Sequence, residues 1–106
     1  MLILPIKKKW FEMIRSGEKK EEYREIKPYY NKRFGNVLVG FSLGNVEVML
    51  YANIEFRVLF RNGYSNNSPE IECKCTLDRG TGKKEWGAEE GKEYYILRIK
   101  EILRDN

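Results

Sequence analysis

The chain has no histidine, only two cysteines and only three prolines among its 106 residues. Without histidine a Ser-His-Asp arrangement lacks its base, so any catalysis falls to Lys, Glu, Asp, Tyr or Cys. Two thiols with no imidazole also leave a structural zinc site short of its usual ligands, and neither a metal nor a cofactor is expected. Glu21 and Glu22 are the one adjacent acidic pair near the motif considered below, and two glutamates alone are a weak Mg²⁺ site. The thiols, Cys73 and Cys75, lie two residues apart in the alternating stretch Ile71 to Leu77. That spacing in a strand is close to the upper limit for a disulfide, so buried free thiols in a reducing compartment are expected.

Long apolar runs are missing too. No stretch approaches the roughly 20 residues needed to cross a bilayer. Met1-Leu2-Ile3-Leu4-Pro5-Ile6 is interrupted by proline, and its charges, Lys7-Lys8-Lys9, follow the apolar residues, the reverse of a secretory signal. A cytoplasmic protein with no membrane contact is the expectation. Gly80-Thr81-Gly82 is not followed by Gly-Lys-Ser or Gly-Lys-Thr, so Asp78 to Lys84 reads as a mobile loop rather than a phosphate-binding one.

What is present suits one small domain over residues 1–106, with 42% hydrophobic and 13% aromatic residues to offset the ordering entropy of a chain that is 34% charged. Its net charge of +4 is unevenly spread. Lys7 to Arg33 holds ten Lys or Arg against five Glu, a balance of +5, whereas the rest of the chain sums to −1. The basic first third is the electrostatic footprint of a phosphate-bearing partner, or else a solvated helix face and loop.

Along the chain, Leu2 to Leu4 reads as a strand and Pro5 as the start of a helix. Ile6, Trp10, Met13 and Ile14 form its apolar stripe, and Gly17 caps a helix running from about Ile6 to Ser16. In Glu18 to Ile26 an extended segment would put Lys20, Glu22 and Arg24 on one face and Lys19, Glu21 and Tyr23 on the other, although propensity equally permits a helix. Tyr29-Tyr30-Asn31-Lys32-Arg33-Phe34 interleaves rings with cations, as single-stranded nucleic acid favours, or covers a sheet edge. Val37 to Leu43 and Val46 to Tyr51 flank Gly44-Asn45 like a hairpin, and the run from Val46 to Phe60 reads as one long bent strand or two short ones. Ile71 to Leu77 and Tyr95 to Ile99 complete the strands.

Gly17-Glu18-Lys19-Lys20-Glu21-Glu22-Tyr23-Arg24 spells G-x-K-x-x-E-x-R directly after the amphipathic helix. There it resembles the signature of the ASCH domain, a branch of the PUA-like superfamily, in the form of a small stand-alone member. Leu4-Pro5-Ile6-Lys7, Lys27-Pro28-Tyr29-Tyr30, Glu85-Trp86-Gly87 and Glu93-Tyr94-Tyr95 extend the resemblance over most of the chain. It implies an α+β fold: a mostly antiparallel PUA-like β-barrel of about five to six strands, flanked by one main N-terminal helix and short helical segments. It also implies a cleft beside the first helix. ASCH proteins are thought to bind RNA. One branch hydrolyses the acetyl amide of acetylated cytidine, and ribonuclease activity is reported in another. The catalytic lysine of the amidohydrolase branch aligns with Lys19, but its catalytic threonine is replaced here by Glu22.

The leading expectation is therefore a module that binds RNA or a modified nucleoside through Lys19, Glu22, Arg24, Tyr29, Tyr30 and Trp86. A small hydrolase acting on an acylated nucleoside or RNA is the alternative, with Lys19 as base or nucleophile and Glu22 or Glu21 relaying a proton. A protein-interaction accessory domain is the third reading. Lys19, Glu22 and Arg24 would equally serve as an internal ion-pair network, and Trp86 as a core residue.

Overall fold

The computed structural model describes residues 1–37 and 44–105. Within them the chain runs β1 (Leu2–Pro5), α1 (Lys8–Arg15), β2 (Glu21–Arg24), α2 (Pro28–Gly35), α3 (Val46–Ala52), β3 (Phe56–Arg61), β4 (Glu70–Thr81), a 3₁₀ turn (Lys84–Trp86) and β5 (Glu93–Asp105). The fold is α+β. One mixed sheet in the order β1-β3-β4-β5-β2 curls into a half-barrel, with β1 parallel to β3 and the other pairs antiparallel. No helix among the described residues is long and apolar enough to cross a membrane.

Leu2 and Leu4 point into the core from β1 while Ile3 and Pro5 point out. Pro5 closes this edge strand, where its missing N–H breaks no ladder, instead of opening the helix. The ladder continues one residue further through Ile6 N–H to the Arg61 carbonyl at 2.9 Å. Helix α1 consequently starts two residues later than its apolar spacing suggests. Phe11 and Ile14 bury its inner face, with Trp10 packed beside them. Gly17 ends it at φ +85°, as the glycine placement predicts, with its N–H on the Ile14 carbonyl.

The charged run that follows is extended: β2 pairs Glu22 with Leu97 and Arg24 with Tyr95. Tyr29 to Phe34 is helical, with Pro28 in the first turn, and buries Phe34 against the core. The hairpin expectation fails at Val46 to Tyr51, and with it the long strand from Val46 to Phe60. Asn45 accepts the Glu47 N–H at 2.9 Å and caps a helix. Val46, Met49 and Leu50 then fall on one helical face against the core, an arrangement their β propensity does not disclose. The proposed partner strand, Val37 to Leu43, lies mostly outside the described residues.

β4 and β5 are longer than their apolar alternation indicates. Asp78 to Thr81, expected in a loop, pairs with Ile96 to Glu93. Asp78 binds Arg98 and Arg79 lies near Glu93, so cross-strand charge stabilises this polar stretch. The pairing register skips Lys100 and Leu103 of β5, and these two bulges bend the sheet. Cys73 and Cys75 are free and fully buried inside the curve with Phe60, Ile71, Leu77 and Leu97. Across its mouth the two edge strands meet through Arg24 of β2, whose Nη2 donates to the Pro5 carbonyl of β1 at 2.8 Å.

Candidate functional site

Lys19 sits in the turn between α1 and β2, held by its N–H on the Met13 carbonyl at 2.9 Å. It is 1% exposed, exceptional for a lysine. Its Nζ donates to the Trp86 carbonyl at 2.6 Å and lies 3.2 Å from Glu22 Oε1. The rings of Trp10 and Tyr23 flank the ammonium at 5.0 and 4.9 Å from their centroids. Burial lowers the amine's pKa below its ordinary 10.5; Glu22 opposes that shift, and Arg24 adds to it.

Glu22 is shared. Its Oε2 accepts Arg24 Nη2 at 2.8 Å and Nε at 3.0 Å. Arg24 Nη1 donates to the Tyr30 hydroxyl at 3.1 Å, and Tyr30 stacks on Phe34 at 5.5 Å. Burial opposes the Arg24 charge, but Glu22 and Tyr30 outweigh it and hold the guanidinium's pKa above its ordinary value. The result is one buried line: Trp86 carbonyl, Lys19, Glu22, Arg24, then Tyr30 and the Pro5 carbonyl. With Lys19 protonated, it carries two cations and one anion, an excess of one positive charge.

A second network, built on Glu21 and Tyr23, meets the first at the Tyr23 ring. Tyr23 donates to Glu21 Oε1 at 2.8 Å and accepts the Lys83 N–H at 2.9 Å, while Glu21 also pairs with Arg98. Glu21 and Glu22 therefore point apart and each is already bound by cations, which disfavours a shared metal ion. Burial pushes the Tyr23 phenol up, leaving it a neutral donor at physiological pH.

The segment carrying Trp86 is seated by two glycines. A Cβ at Gly82 would lie 2.5 Å from Tyr23 Cζ, and one at Gly87, where φ is +103°, would lie 3.0 Å from the Trp10 ring. Only glycine lets this backbone come close enough to bring the Trp86 carbonyl onto Lys19. Lys83 Nζ rests 4.5 Å from the Trp86 ring centroid and Lys9 Nζ 4.7 Å from that of Trp10. Each tryptophan thus has a cation beside it.

Of the residues singled out from the motif, the structure gathers Lys19, Glu22, Arg24 and Tyr30. The extended face expectation holds for Glu22 with Arg24 and for Glu21 with Tyr23, but Lys19 precedes the strand and turns toward Glu22. Trp86 joins through its carbonyl, with its ring half-buried. Tyr29 stands apart, 58% exposed, edge-on to Tyr30 and with Arg33 over its ring. Trp10, Gly82, Lys83 and Gly87 belong to the site but were not singled out for it in the sequence, and Tyr23, which the motif contains, was not assigned a role. The one available clue was that glycines flank the aromatic and basic residues of 82–87. A cleft of about 240 Å³ opens beside Lys19 between the end of α1 and the bulged part of β5, lined by Ile14, Gly17, Lys20 and Ile99 to Ile102. No family model, curated protein or solved structure matches the chain.

Proposed function

We propose that the chain is an ASCH-type domain with a PUA-like half-barrel, and that it binds RNA or a modified nucleoside at the surface over Lys19, Glu22 and Arg24. The observation that carries this reading is the buried line in which two basic side chains share one carboxylate, bordered by the rings of Trp10, Tyr23, Tyr30 and Trp86 and by Lys9 and Lys83. Bases stack on rings while ammonium groups meet phosphates, and a partly buried positive charge is screened less by salt than an exposed one. Glu22 fixes the two cations, and Arg24 ties the site to both sheet edges.

The test is a retardation titration of labelled single-stranded RNA at low and high salt, with Trp86→Ala, Lys83→Gln and Arg24→Ala alongside the parent chain. Binding should weaken about 5- to 150-fold for Trp86→Ala, the equivalent of removing one base–ring stack of about 1–3 kcal/mol. Lys83→Gln should reduce the salt dependence by the equivalent of about one neutralised phosphate. A parent chain that retards no RNA at low salt overturns the reading.

A second reading, hydrolysis of an acylated nucleoside or RNA, draws on the Lys19 amine, whose pKa burial lowers and whose proton can pass to Glu22 at 3.2 Å. The amine is covered by Trp86 and Tyr23, and Glu22 is held by Arg24, so binding is the better supported activity. Product formed equally by the parent and by Lys19→Met would exclude Lys19 as the catalytic residue.

A further inference from the structure

We infer that the cleft lined by Tyr64 is a second base-binding subsite, so that the ligand is a single strand spanning more than one nucleotide rather than a free nucleoside. This rests on the reading of the Lys19 surface as a site for RNA or a nucleoside, and extends it along the molecule.

The cleft has a volume of about 370 Å³ and is lined by Pro5, Ile6, Lys7, Asn62, Gly63 and Tyr64. It shares a residue with the site already described, because Pro5, which lines it, offers its carbonyl to Arg24 Nη2 at 2.8 Å. Two of its lining residues are fixed to one another by Asn62 Nδ2, which donates to the Ile6 carbonyl at 3.0 Å. Through Pro5 the residues of the two sites are linked by contact in one strip, from Trp86, Lys19, Glu22 and Arg24 to Pro5, Asn62 and Tyr64.

Tyr64 stands at the end of that strip with 91% of its surface exposed, and its ring meets no other ring or cation among the described residues. A tyrosine contributes nothing to the core in that position, whereas an exposed ring among the residues of an open cleft can serve as a stacking platform. The adjoining cations have one sign. Lys7, Lys8 and Lys9 are consecutive and exposed, no acidic residue lies in the first turn of α1, and none lines the cleft among the described residues. Three ammonium groups at the positive end of a helix dipole oppose the helix that bears them, so they are not there for its stability. A polyanion laid along the strip would neutralise them. An apolar peptide would leave them unmatched, and an acidic peptide would have no use for the ring.

The test is fluorescence anisotropy with 5′-labelled oligouridylate long enough to cover the strip, on the parent chain, Tyr64→Ala, Tyr64→Phe, Trp86→Ala and a Lys7→Gln/Lys8→Gln variant. Tyr64 makes no packing contribution that unfolding would reveal, and circular dichroism should be unchanged for both of its variants. Tyr64→Ala should weaken binding about 5- to 150-fold, with Tyr64→Phe retaining parental affinity because the ring is kept. The double lysine variant should lower the slope of log affinity against log salt by about 0.7 for each phosphate that is no longer neutralised. Tyr64→Ala binding like the parent while Trp86→Ala binds weakly overturns the second subsite and leaves the first standing. The reverse pattern supports the Tyr64 subsite and removes Trp86 from the site. A Tyr64→Phe variant as weak as Tyr64→Ala overturns stacking, and a parent chain that binds no oligouridylate overturns both readings.

Discussion

Replacing Glu22 by glutamine should destabilise the protein far more than replacing Lys19 by methionine. The side chains of Lys19, Glu22 and Arg24 retain 0%, 9% and 10% of their exposure, and one carboxylate serves both cations. Glu22→Gln keeps the shape but leaves Lys19 and Arg24 buried without the carboxylate they share, a change of about 3–5 kcal/mol. Lys19→Met keeps the volume and the apolar stem, and leaves Glu22 matched by Arg24 at 2.8 Å. The Trp86 carbonyl then loses its donor, a cost of about 1–3 kcal/mol, but a buried charge is removed as well. The two effects should nearly cancel, to within about 1 kcal/mol. For a domain of this size Glu22→Gln should lower Tm by at least about 12 °C. Urea unfolding followed by tryptophan fluorescence and far-ultraviolet circular dichroism measures both variants, with a common slope as the control for two-state behaviour. Equal losses for the two variants would refute the picture of one anion holding two cations. There is also a pH signature. The folded pKa of Lys19 lies below the 10.5 of the unfolded chain, so between those values the unfolded state holds a proton that the native state has released. The stability of the parent relative to Lys19→Met should therefore rise with pH across that window and be lowest beneath it.

Gly82→Ala would push a Cβ to 2.5 Å from Tyr23 Cζ and 2.8 Å from Ala88 Cβ, and should cost about 1–3 kcal/mol in the same urea assay. Because Gly82 seats the Trp86 segment, the same variant should also weaken RNA binding. Burial pushes the Cys73 thiol from 9.0 up to about 12 and raises that of Cys75 as well. The native chain then holds these protons after the unfolded chain has released them, so their contribution is complete below pH 9 and is lost as pH rises toward 12. A Cys73→Ala/Cys75→Ala variant should show a shallower alkaline decline in stability, and a decline as steep as the parent's would reject thiol linkage. In the parent, a thiol reagent should label both cysteines in denaturant and react slowly without it; rapid labelling in native buffer would contradict their burial.

What the chain determines by itself is local and periodic. Leu2 and Leu4 alternate, Trp10 and Ile14 recur at helical spacing, Gly17 supplies the left-handed cap, and Phe56, Val58 and Phe60, then Ile71, Cys73, Cys75 and Leu77, recur every second position. Each follows from backbone geometry over a few residues, and each is visible without a neighbour. The motif also put Lys19, Glu22 and Arg24 within reach of one another, since they are close in sequence. Other outcomes required the folded neighbours. Val46 and Val48 favour a strand in isolation, but the Asn45 cap and the burial of Met49 make their segment a helix. Asp78 to Thr81 has little apolar pattern and becomes strand because β5 brings Arg98 and Glu93 to meet Asp78 and Arg79. The state of Lys19 was decided furthest away: its hydrogen-bond acceptor, the Trp86 carbonyl, is 67 residues distant in sequence. That partner arrives only because Gly82 and Gly87 let the backbone close onto Tyr23 and Trp10. A residue's chemistry depends on how much water and which charges surround it, and for Lys19 both are set by packing between distant parts of the chain.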